Sequence, residues 1–188
     1  AVINFATSTV GGALSATATA GDIIDTGVLT ITGASTFTVA NGENITLGSD
    51  NTFSSTVTFA ASAGTIASVE INDSNAFDIK PLTTTGNLTV TAGGNITDSG
   101  TVTVGGNLTA TTDASSGSID LGTLAVTGTI TLTTHSGGAA TIDNGTANID
   151  IAAASVGGNL TLTSGASTDG SNYAIMDSGT VTVGGNLI

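Results

Sequence analysis

The eleven residues from Asp98 to Leu108, DSGTVTVGGNL, recur without change from Asp177 to Leu187. Repetition of this kind is typical of architectures that add one structural unit after another. Within the first copy, Val102 and Val104 alternate with threonines, so that one face of the segment is apolar and the other is polar. The repeat therefore predicts short β-strands separated by glycine-rich corners.

A shorter pattern, Gly-Asn followed by an apolar residue, also starts new strands at Leu88 and Leu160. Asparagine and glycine suit corners, and asparagines at like corners of stacked strands can form side-chain ladders. We therefore assign a structural role to twelve positions of the repeat. These are Asp98, Gly100, Gly105, Gly106, Asn107 and Leu108 in the first copy and Asp177, Gly179, Gly184, Gly185, Asn186 and Leu187 in the second.

The spacing of the strand starts decides the architecture. Apolar starts at Leu88, Ile96, Val102 and Leu108 follow one another after eight, six and six positions, so the pattern returns to its beginning after twenty. From Leu108, three further starts (Ile119, Leu124 and Ile130) complete a second, slightly longer cycle. Strands of a β-sandwich are spaced by roughly 8–12 residues, so corners this tight favour strands that wind in one direction.

The sequence therefore predicts an all-β fold with essentially no helix, a right-handed parallel β-helix with roughly triangular rungs. Each rung has about 20 residues, and the 188 residues make about nine rungs. We expect residues 1–188 to form a single solenoid segment. A small irregularity is expected near residues 80–85, where the Lys80-Pro81 step interrupts the pattern, because proline in a strand belongs at an edge or a bulge.

The phenylalanines recur at the spacing of a rung. Phe59 follows Phe37, and Phe77 follows Phe53, after an interval close to one predicted rung. We expect these rings to stack inside a slightly wider part of the core.

Composition excludes several functional classes. Charged residues make up 8% of the chain, against about 25% in typical proteins, but the 39% of hydrophobic residues argues against disorder. The net charge is −13 with a single lysine or arginine, so we expect no binding to nucleic acid. No apolar run approaches the ~20 residues that span a bilayer, and we expect no membrane insertion. The chain has no cysteine and hence no disulfide.

Parallel β-helices include polysaccharide-cleaving enzymes, whose sites need clustered carboxylates together with basic residues. Arginine is absent here and Lys80 stands alone. The neighbouring pairs Asp22 with Asp25 and Asp73 with Asp78 are interpreted as corner-forming residues, and His135 as a solvated loop residue. We therefore predict that the protein is not an enzyme, with no catalytic residue and no cofactor.

Calcium is the metal to consider, because acidic β-rolls bind it at their corners. The required G-G-x-G-x-D repeat is missing, since Gly93-Gly94-Asn95-Ile96-Thr97-Asp98 lacks the second corner glycine. Glu43 and Asp50, each within a cluster of oxygen-bearing side chains, are the weak calcium candidates. We expect ordinary corner use at both positions and predict no metal site.

The segments from Thr84 to Thr112 and from Val156 to Gly165 resemble the repeats of filamentous haemagglutinin-like proteins, which are large secreted or autotransported bacterial adhesins. The resemblance is clear from about Thr84 onwards and weaker before it. It implies a β-helical shaft, export across the outer membrane, and a role in adhesion, aggregation or biofilm formation.

Two functions follow as hypotheses, and both place the chain outside the cell at the bacterial surface. The first is the shaft of an adhesin or surface fibre, with contacts to cell surfaces or glycans made by other regions. The second is a self-assembling subunit, because Val2–Phe5 and Leu187–Ile188 are suited to pair with a further rung or a further copy. A minor alternative is ice binding through Thr-x-Thr pairs, which we expect to fall on several sides of the solenoid. The pairs are Thr36/Thr38, Thr56/Thr58, Thr89/Thr91, Thr101/Thr103, Thr131/Thr133, Thr161/Thr163 and Thr180/Thr182.

Overall fold

The computed structural model describes residues 1–114, 116–165 and 174–188. Over these ranges the chain forms 22 β-strands and no helix, and every pair of neighbouring strands is parallel. A helix long and apolar enough to cross a membrane is accordingly not found in the described part of the chain.

One sheet runs the whole length of the molecule, and we call it the long sheet. Each of its nine strands pairs with the strand that follows after one circuit of the chain, and each such circuit is one rung of a β-solenoid. Nine strands bound eight complete rungs, so the predicted parallel solenoid is confirmed. The strands are β1 (Ile3–Phe5), β4 (Ile23–Asp25), β7 (Ile45–Phe53), β9 (Val69–Asp73), β12 (Leu88–Ala92), β15 (Leu108–Thr112), β18 (Ile130–Thr133), β20 (Ile149–Val156) and β22 (Ile175–Val183).

The other sides of the solenoid are built differently in its two halves. In the first three rungs, β2 (Ser8–Val10) and β5 (Leu29–Ile31) are extended by the end of β7, and β3 (Leu14–Thr17), β6 (Ser35–Val39) and β8 (Val57–Ala61) form a third sheet. From the fourth rung onwards two new sheets take over. One contains β10 (Phe77–Ile79), β13 (Ile96–Asp98), β16 (Ile119–Leu121), β19 (Ala140–Asp143) and β21 (Leu160–Thr163), and the other contains β11 (Leu82–Thr84), β14 (Val102–Val104) and β17 (Leu124–Val126).

The strand starts predicted from spacing are the starts in the structure. Leu88, Ile96, Val102 and Leu108 begin β12, β13, β14 and β15. In this rung each strand is followed by a short corner of equal length, which is why the rung closes as predicted and Leu88 pairs with Leu108. The remaining starts at positions 119, 124 and 130 also begin strands.

Alternation within each strand produces the core. Leu88, Leu108 and Ile130 stack on one another in successive rungs and are at most 1% exposed. Full burial of such a side chain stabilises the fold by about 1.5–3 kcal/mol, and the same gain repeats in every rung. A continuous apolar column results, from Ala16 in the first rung to Leu160 in the eighth.

The five phenylalanines of the chain form one connected cluster in the first four rungs. Phe37 lies at its centre and is fully buried. Its ring stacks on that of Phe59, as the spacing predicts, with centroids 6.2 Å apart. The further ring contacts are Phe5 with Phe37 and Phe37 with Phe53, both edge to face, and Phe59 with Phe77. The predicted stacking is therefore confirmed for Phe37 with Phe59, whereas Phe77 contacts Phe59 in place of the predicted Phe53.

The two identical eleven-residue copies lie on different sides of the solenoid. In the first copy, residues 99–101 form a corner between β13 and β14. In the second copy the corresponding residues, 178–180, lie within strand β22 of the long sheet. The interval from Asp98 to Asp177 is therefore not a whole number of equivalent rungs, and the motif occupies different corners.

The side sheets are interrupted between the third and fourth rungs, and we call this break the seam. The third rung runs from Ile45 to Val69 and is five positions longer than the fourth, which runs from Val69 to Leu88. Because the larger rung cannot stay in register with the smaller one, β8 pairs only with β6 and β10 pairs only with β13. The Lys80-Pro81 step lies between β10 and β11, on the fourth-rung side of the seam.

Candidate functional site

The corners before several strands of the long sheet carry a polar ladder. Oδ1 of Asn87 accepts the backbone N–H of Asn107 at 2.9 Å, and Oδ1 of Asn107 accepts that of Thr129 at 3.0 Å. One rung earlier, Ser68 Oγ accepts the N–H of Asn87 at 3.0 Å. Each asparagine thus satisfies a backbone donor that the corner would leave unpaired, as the ladder prediction requires.

The glycines of the repeat make room for this ladder. A Cβ on Gly105 would lie 2.6 Å from the carbonyl oxygen of Thr85, and one on Gly106 would lie 2.4 Å from Oδ1 of Asn87. The second copy reproduces the arrangement on another side, because a Cβ on Gly185 would lie 2.3 Å from Oδ1 of Asn159. The Gly-Gly-Asn corner therefore forms in the same way on more than one side of the solenoid. The other repeat glycines are equally close to the rung before, namely Gly100 to Pro81, Gly179 to Ala152 and Gly184 to Gly157.

A second polar column lies inside the solenoid, at the end of the long-sheet strands. Asn51 and Asp73 are paired across the third and fourth rungs and are 0% and 1% exposed. Oδ1 of Asn51 accepts the N–H of Leu29 at 2.7 Å, and its Nδ2 donates to Oδ2 of Asp25 at 2.7 Å. These side chains take the place of backbone partners where the strands bend.

The fold perturbs the titration of the Asp73 carboxyl group. Burial raises the pKa of Asp73 above its ordinary value, and the negative charge of Asp50 adds to the rise. The backbone N–H groups of Phe53 and Asn75 oppose it, since both donate to Oδ1 at 3.1 and 3.2 Å. Desolvation of the charged form is the dominant cause.

The seam opens into a groove of about 510 Å³, which we call the seam groove. One wall is the third-rung segment of residues 53–57 and the other consists of residues from the fourth-rung segment of residues 73–80. Asp73 lies in this groove, with Phe53 and Phe77 beside it. The full lining is Phe53, Ser54, Ser55, Thr56, Val57, Asp73, Asn75, Ala76, Phe77, Asp78 and Lys80. A smaller crevice of about 150 Å³ continues along the seam between β8 and β11.

The rim of the groove holds the only lysine of the chain. Lys80 Nζ donates to Oδ2 of Asp78 at 2.6 Å and to Oγ of Ser99 at 3.1 Å. Both partners of the ion pair are about one-third exposed, so the pair contributes at most about 1 kcal/mol to stability. Asp73 and Asp78, interpreted from sequence as corner residues, thus line one groove.

This groove was not predicted from the sequence, although one signal was present. Period-two alternation in β9 points Val69, Ile71 and Asp73 inward, so an acidic residue occupies a core position. The inward-facing acidic residue marks the rung at which the side sheets are interrupted.

The other candidate residues are not brought together. Glu43 precedes β7 and Asp50 lies within it, and between them β7 passes from the long sheet, where Ile45 pairs with β4, to the side sheet, where Phe53 pairs with β5. Within the described residues, no group of three or more histidine and acidic side chains is arranged to hold a metal. His135 is exposed. Asp22 accepts the N–H of Asn44 at 2.7 Å and serves the corner ladder.

The threonine pairs lie on several sides of the solenoid, but some of them stack on one another in successive rungs of the long sheet. Thr89 pairs with Thr109 and Thr109 with Thr131, while Thr91, Thr111 and Thr133 form a second column beside them. These six side chains form a two-by-three array on the outer face of the long sheet. The pairs named from the sequence do not include Thr109 with Thr111.

Comparison with known proteins yields one match. The family described as Repeats of unknown function (DUF5649) matches residues 1–60 and 66–122. The chain belongs to this family. No curated protein matches it, and no solved structure does. The two stretches matched by DUF5649 lie largely on either side of the seam, because β9, the first strand of the fourth rung, begins at Val69. Each DUF5649 stretch therefore corresponds to about three rungs.

Proposed function

We propose that this DUF5649 solenoid is a section of the shaft of a bacterial surface fibre or adhesin, located outside the cell and acting in adhesion, aggregation or biofilm formation. One observation carries the proposal: the long sheet and its apolar column run through all eight rungs. A sheet whose hydrogen bonds lie along the axis resists extension along that axis, which is what a shaft needs.

Two further observations support this role. The outward positions of β12, β15 and β18 carry neutral hydroxyl groups, and the net charge of −13 keeps separate molecules apart. The segments Thr84–Thr112 and Val156–Gly165 also resemble haemagglutinin-like repeats. The proposal assigns no catalytic activity to the chain and leaves receptor contacts to other regions.

Immunogold labelling of intact cells, followed by negative-stain microscopy, tests the proposal. Antibodies against the chain are expected to label extended fibres outside cells that have not been permeabilised. Labelling that appears only after permeabilisation would contradict it. Filaments that grow from the purified chain as its concentration rises would favour the self-assembling subunit instead.

A second candidate function, binding to ice, is favoured by the two-by-three threonine array. Strand spacing places its members about 4.8 Å apart in one direction and about 6.7 Å apart in the other. Hydroxyl and methyl groups on a flat grid of this kind can order water in a repeating layer. The array comprises Thr89, Thr91, Thr109, Thr111, Thr131 and Thr133.

Thermal hysteresis measured at micromolar protein tests this candidate. We expect hysteresis that Thr109→Tyr abolishes and that Thr103→Tyr, a matched change in β14 on another sheet, leaves intact. An absence of hysteresis and of ice shaping in the unaltered protein would exclude ice binding.

A further inference from the structure

The seam groove has the features of a ligand site, although the proposed shaft function makes no use of it. Its volume of about 510 Å³ falls within the range of roughly 300–1,000 Å³ that is usual for small-molecule sites. It exists because two rungs of unequal length meet, so it is a consequence of the fold.

One carboxylate of the groove lining keeps an oxygen without a protein donor. Asp73 is 1% exposed, and its Oδ1 accepts the N–H groups of Phe53 and Asn75. Among the described residues no hydrogen bond reaches its Oδ2, which distinguishes it from the carboxylate of Asp25, where both oxygens accept bonds. Asp73 Oδ2 is not one of the buried side-chain atoms that lack a partner, so it keeps contact with the groove and can accept a hydrogen bond from a ligand.

The charges of the groove favour a cationic donor. Asp78 is already paired with Lys80 at 2.6 Å, so Asp73 is the carboxylate of the groove lining without a counter-ion, and Asp50 adds negative charge nearby. A metal ion is a poor occupant, because the described residues contain no cluster of three acidic or histidine ligands. An organic ammonium group needs only one carboxylate and a charge-assisted hydrogen bond.

The remaining lining indicates what the ammonium group is attached to. Ser54, Ser55 and Thr56 present three consecutive exposed hydroxyl groups on one wall. Asn75 and Asp78 add an amide and a carboxylate on the other wall, and the exposed Ala76 adds apolar surface, whereas Phe53 and Phe77 are only 3% and 4% exposed. Hydroxyls and an amide match a ligand rich in hydroxyl groups.

We propose that the seam groove binds saccharides that carry a free amino group, with Asp73 accepting the ammonium group and the Ser54–Thr56 wall contacting the hydroxyls. The net negative charge disfavours sugars with carboxylate or sulfate groups. This assignment does not depend on the shaft function, since it concerns only residues that face the groove.

Isothermal titration calorimetry with the whole chain tests the proposal, using a glucosamine tetramer as the probe. The N-acetylated tetramer is the matched neutral ligand, and butylammonium is the matched cation without hydroxyl groups. The glucosamine tetramer is expected to bind at least about tenfold more tightly than either one, because a charge-assisted hydrogen bond contributes on the order of 1.5–3 kcal/mol. Equal binding of the acetylated tetramer or of butylammonium, or no binding at millimolar ligand, would overturn the assignment.

Two protein variants separate the groove from general charge effects. Asp73→Asn is expected to weaken binding about tenfold or more, whereas Asp120→Asn, which removes the same charge from an exposed position in β16, leaves it unchanged. Equal effects of the two changes would refute the site. If Asp73→Asn unfolds the chain, the unaltered protein is titrated with the glucosamine tetramer while its amide chemical shifts are recorded. Chemical-shift changes at Asn75 and Asp78 support binding in the groove, and changes confined to other positions contradict it.

Discussion

Asn107 donates its backbone N–H to the side-chain Oδ1 of Asn87, its counterpart one rung earlier, at 2.9 Å. The two residues stand at the same corner, each directly before a strand of the long sheet. This contact links neighbouring rungs at a position where no strand pairing is available. The same bond joins Asn186 to Asn159 at 2.9 Å on a different side of the solenoid.

Replacing Asn87 by alanine removes the acceptor for the N–H of Asn107. We expect Asn87→Ala to lower the free energy of unfolding by about 0.5–1.5 kcal/mol, because the contact is exposed and water replaces part of it. Urea denaturation followed by circular dichroism measures the change. Thr89→Ala, in the adjacent strand but outside the ladder, is the control and should stay within about 0.5 kcal/mol of the parent. A larger loss for Thr89→Ala than for Asn87→Ala would contradict the ladder.

Alanine at Gly105 places a Cβ 2.6 Å from the carbonyl oxygen of Thr85, so the corner must shift. Gly105→Ala is expected to destabilise the chain by about 1–3 kcal/mol, as overpacking does in other tightly packed sites. Gly122→Ala is the matched control, since its Cβ would meet no atom within 4 Å. Thermal melts of the two variants compare them directly, and equal melting temperatures would show that the corner tolerates the extra carbon.

The stability of the protein is expected to depend on pH through Asp73. Burial raises its pKa in the folded chain, so the folded state binds the proton more tightly than the unfolded state does. The stabilising contribution is therefore fully present below the unfolded value of about 3.8 and is lost as pH rises through the higher folded value. Asp73→Asn, which copies the residue found at the paired position 51, should abolish this loss and be more stable than the parent at pH 7.

Urea titrations of both proteins across the acidic range measure the effect as a difference. Asp120→Asn, which removes the same charge from an exposed position in β16, serves as the charge-matched control. A difference between Asp73→Asn and the parent that stays constant from acid to neutral pH would show that Asp73 is not the group involved.

Backbone exchange should reveal the seam. Phe77 donates its N–H to Asn95, and Ser99 donates to Ile79, so the N–H of Asp78 points away from β13 towards the seam. We expect the amide of Asp78 to exchange at least about tenfold faster than that of Thr97, its partner in β13, which lies between two strands. Residue-resolved hydrogen exchange by nuclear magnetic resonance measures both. Equal protection would mean that β10 has a second partner.

Much of the fold could be predicted because its signals are local. Alternation of apolar residues with threonine specifies short strands, and closely spaced starts leave room only for corners, so Leu88, Ile96, Val102 and Leu108 are correctly predicted as strand starts. The stacking of Phe37 on Phe59 followed from the same spacing.

The seam groove was not predictable in this way. It depends on the third rung being longer than the fourth, and no local pattern reports how two rungs will align. The sequence indicates separate corner residues at Asp73 and Asp78, yet the mismatch brings both into one groove. The threonine array has the same origin, because the column of Thr89, Thr109 and Thr131 is created by register alone.

The two copies of DSGTVTVGGNL separate the contributions of sequence and tertiary structure. In both copies the residue types by themselves determine an extended backbone and which side chains face inward or outward. They also determine a Gly-Gly-Asn corner that fits against an asparagine of the rung before. Only the tertiary structure decided that residues 99–101 form a corner between two strands while their counterparts stay within β22, at an irregularity in its pairing with β20. The reason is physical: a parallel strand takes its hydrogen bonds from the rung beside it, so the length and register of β20 hold the second copy extended, whereas the first copy is held by two short strands that meet at a corner.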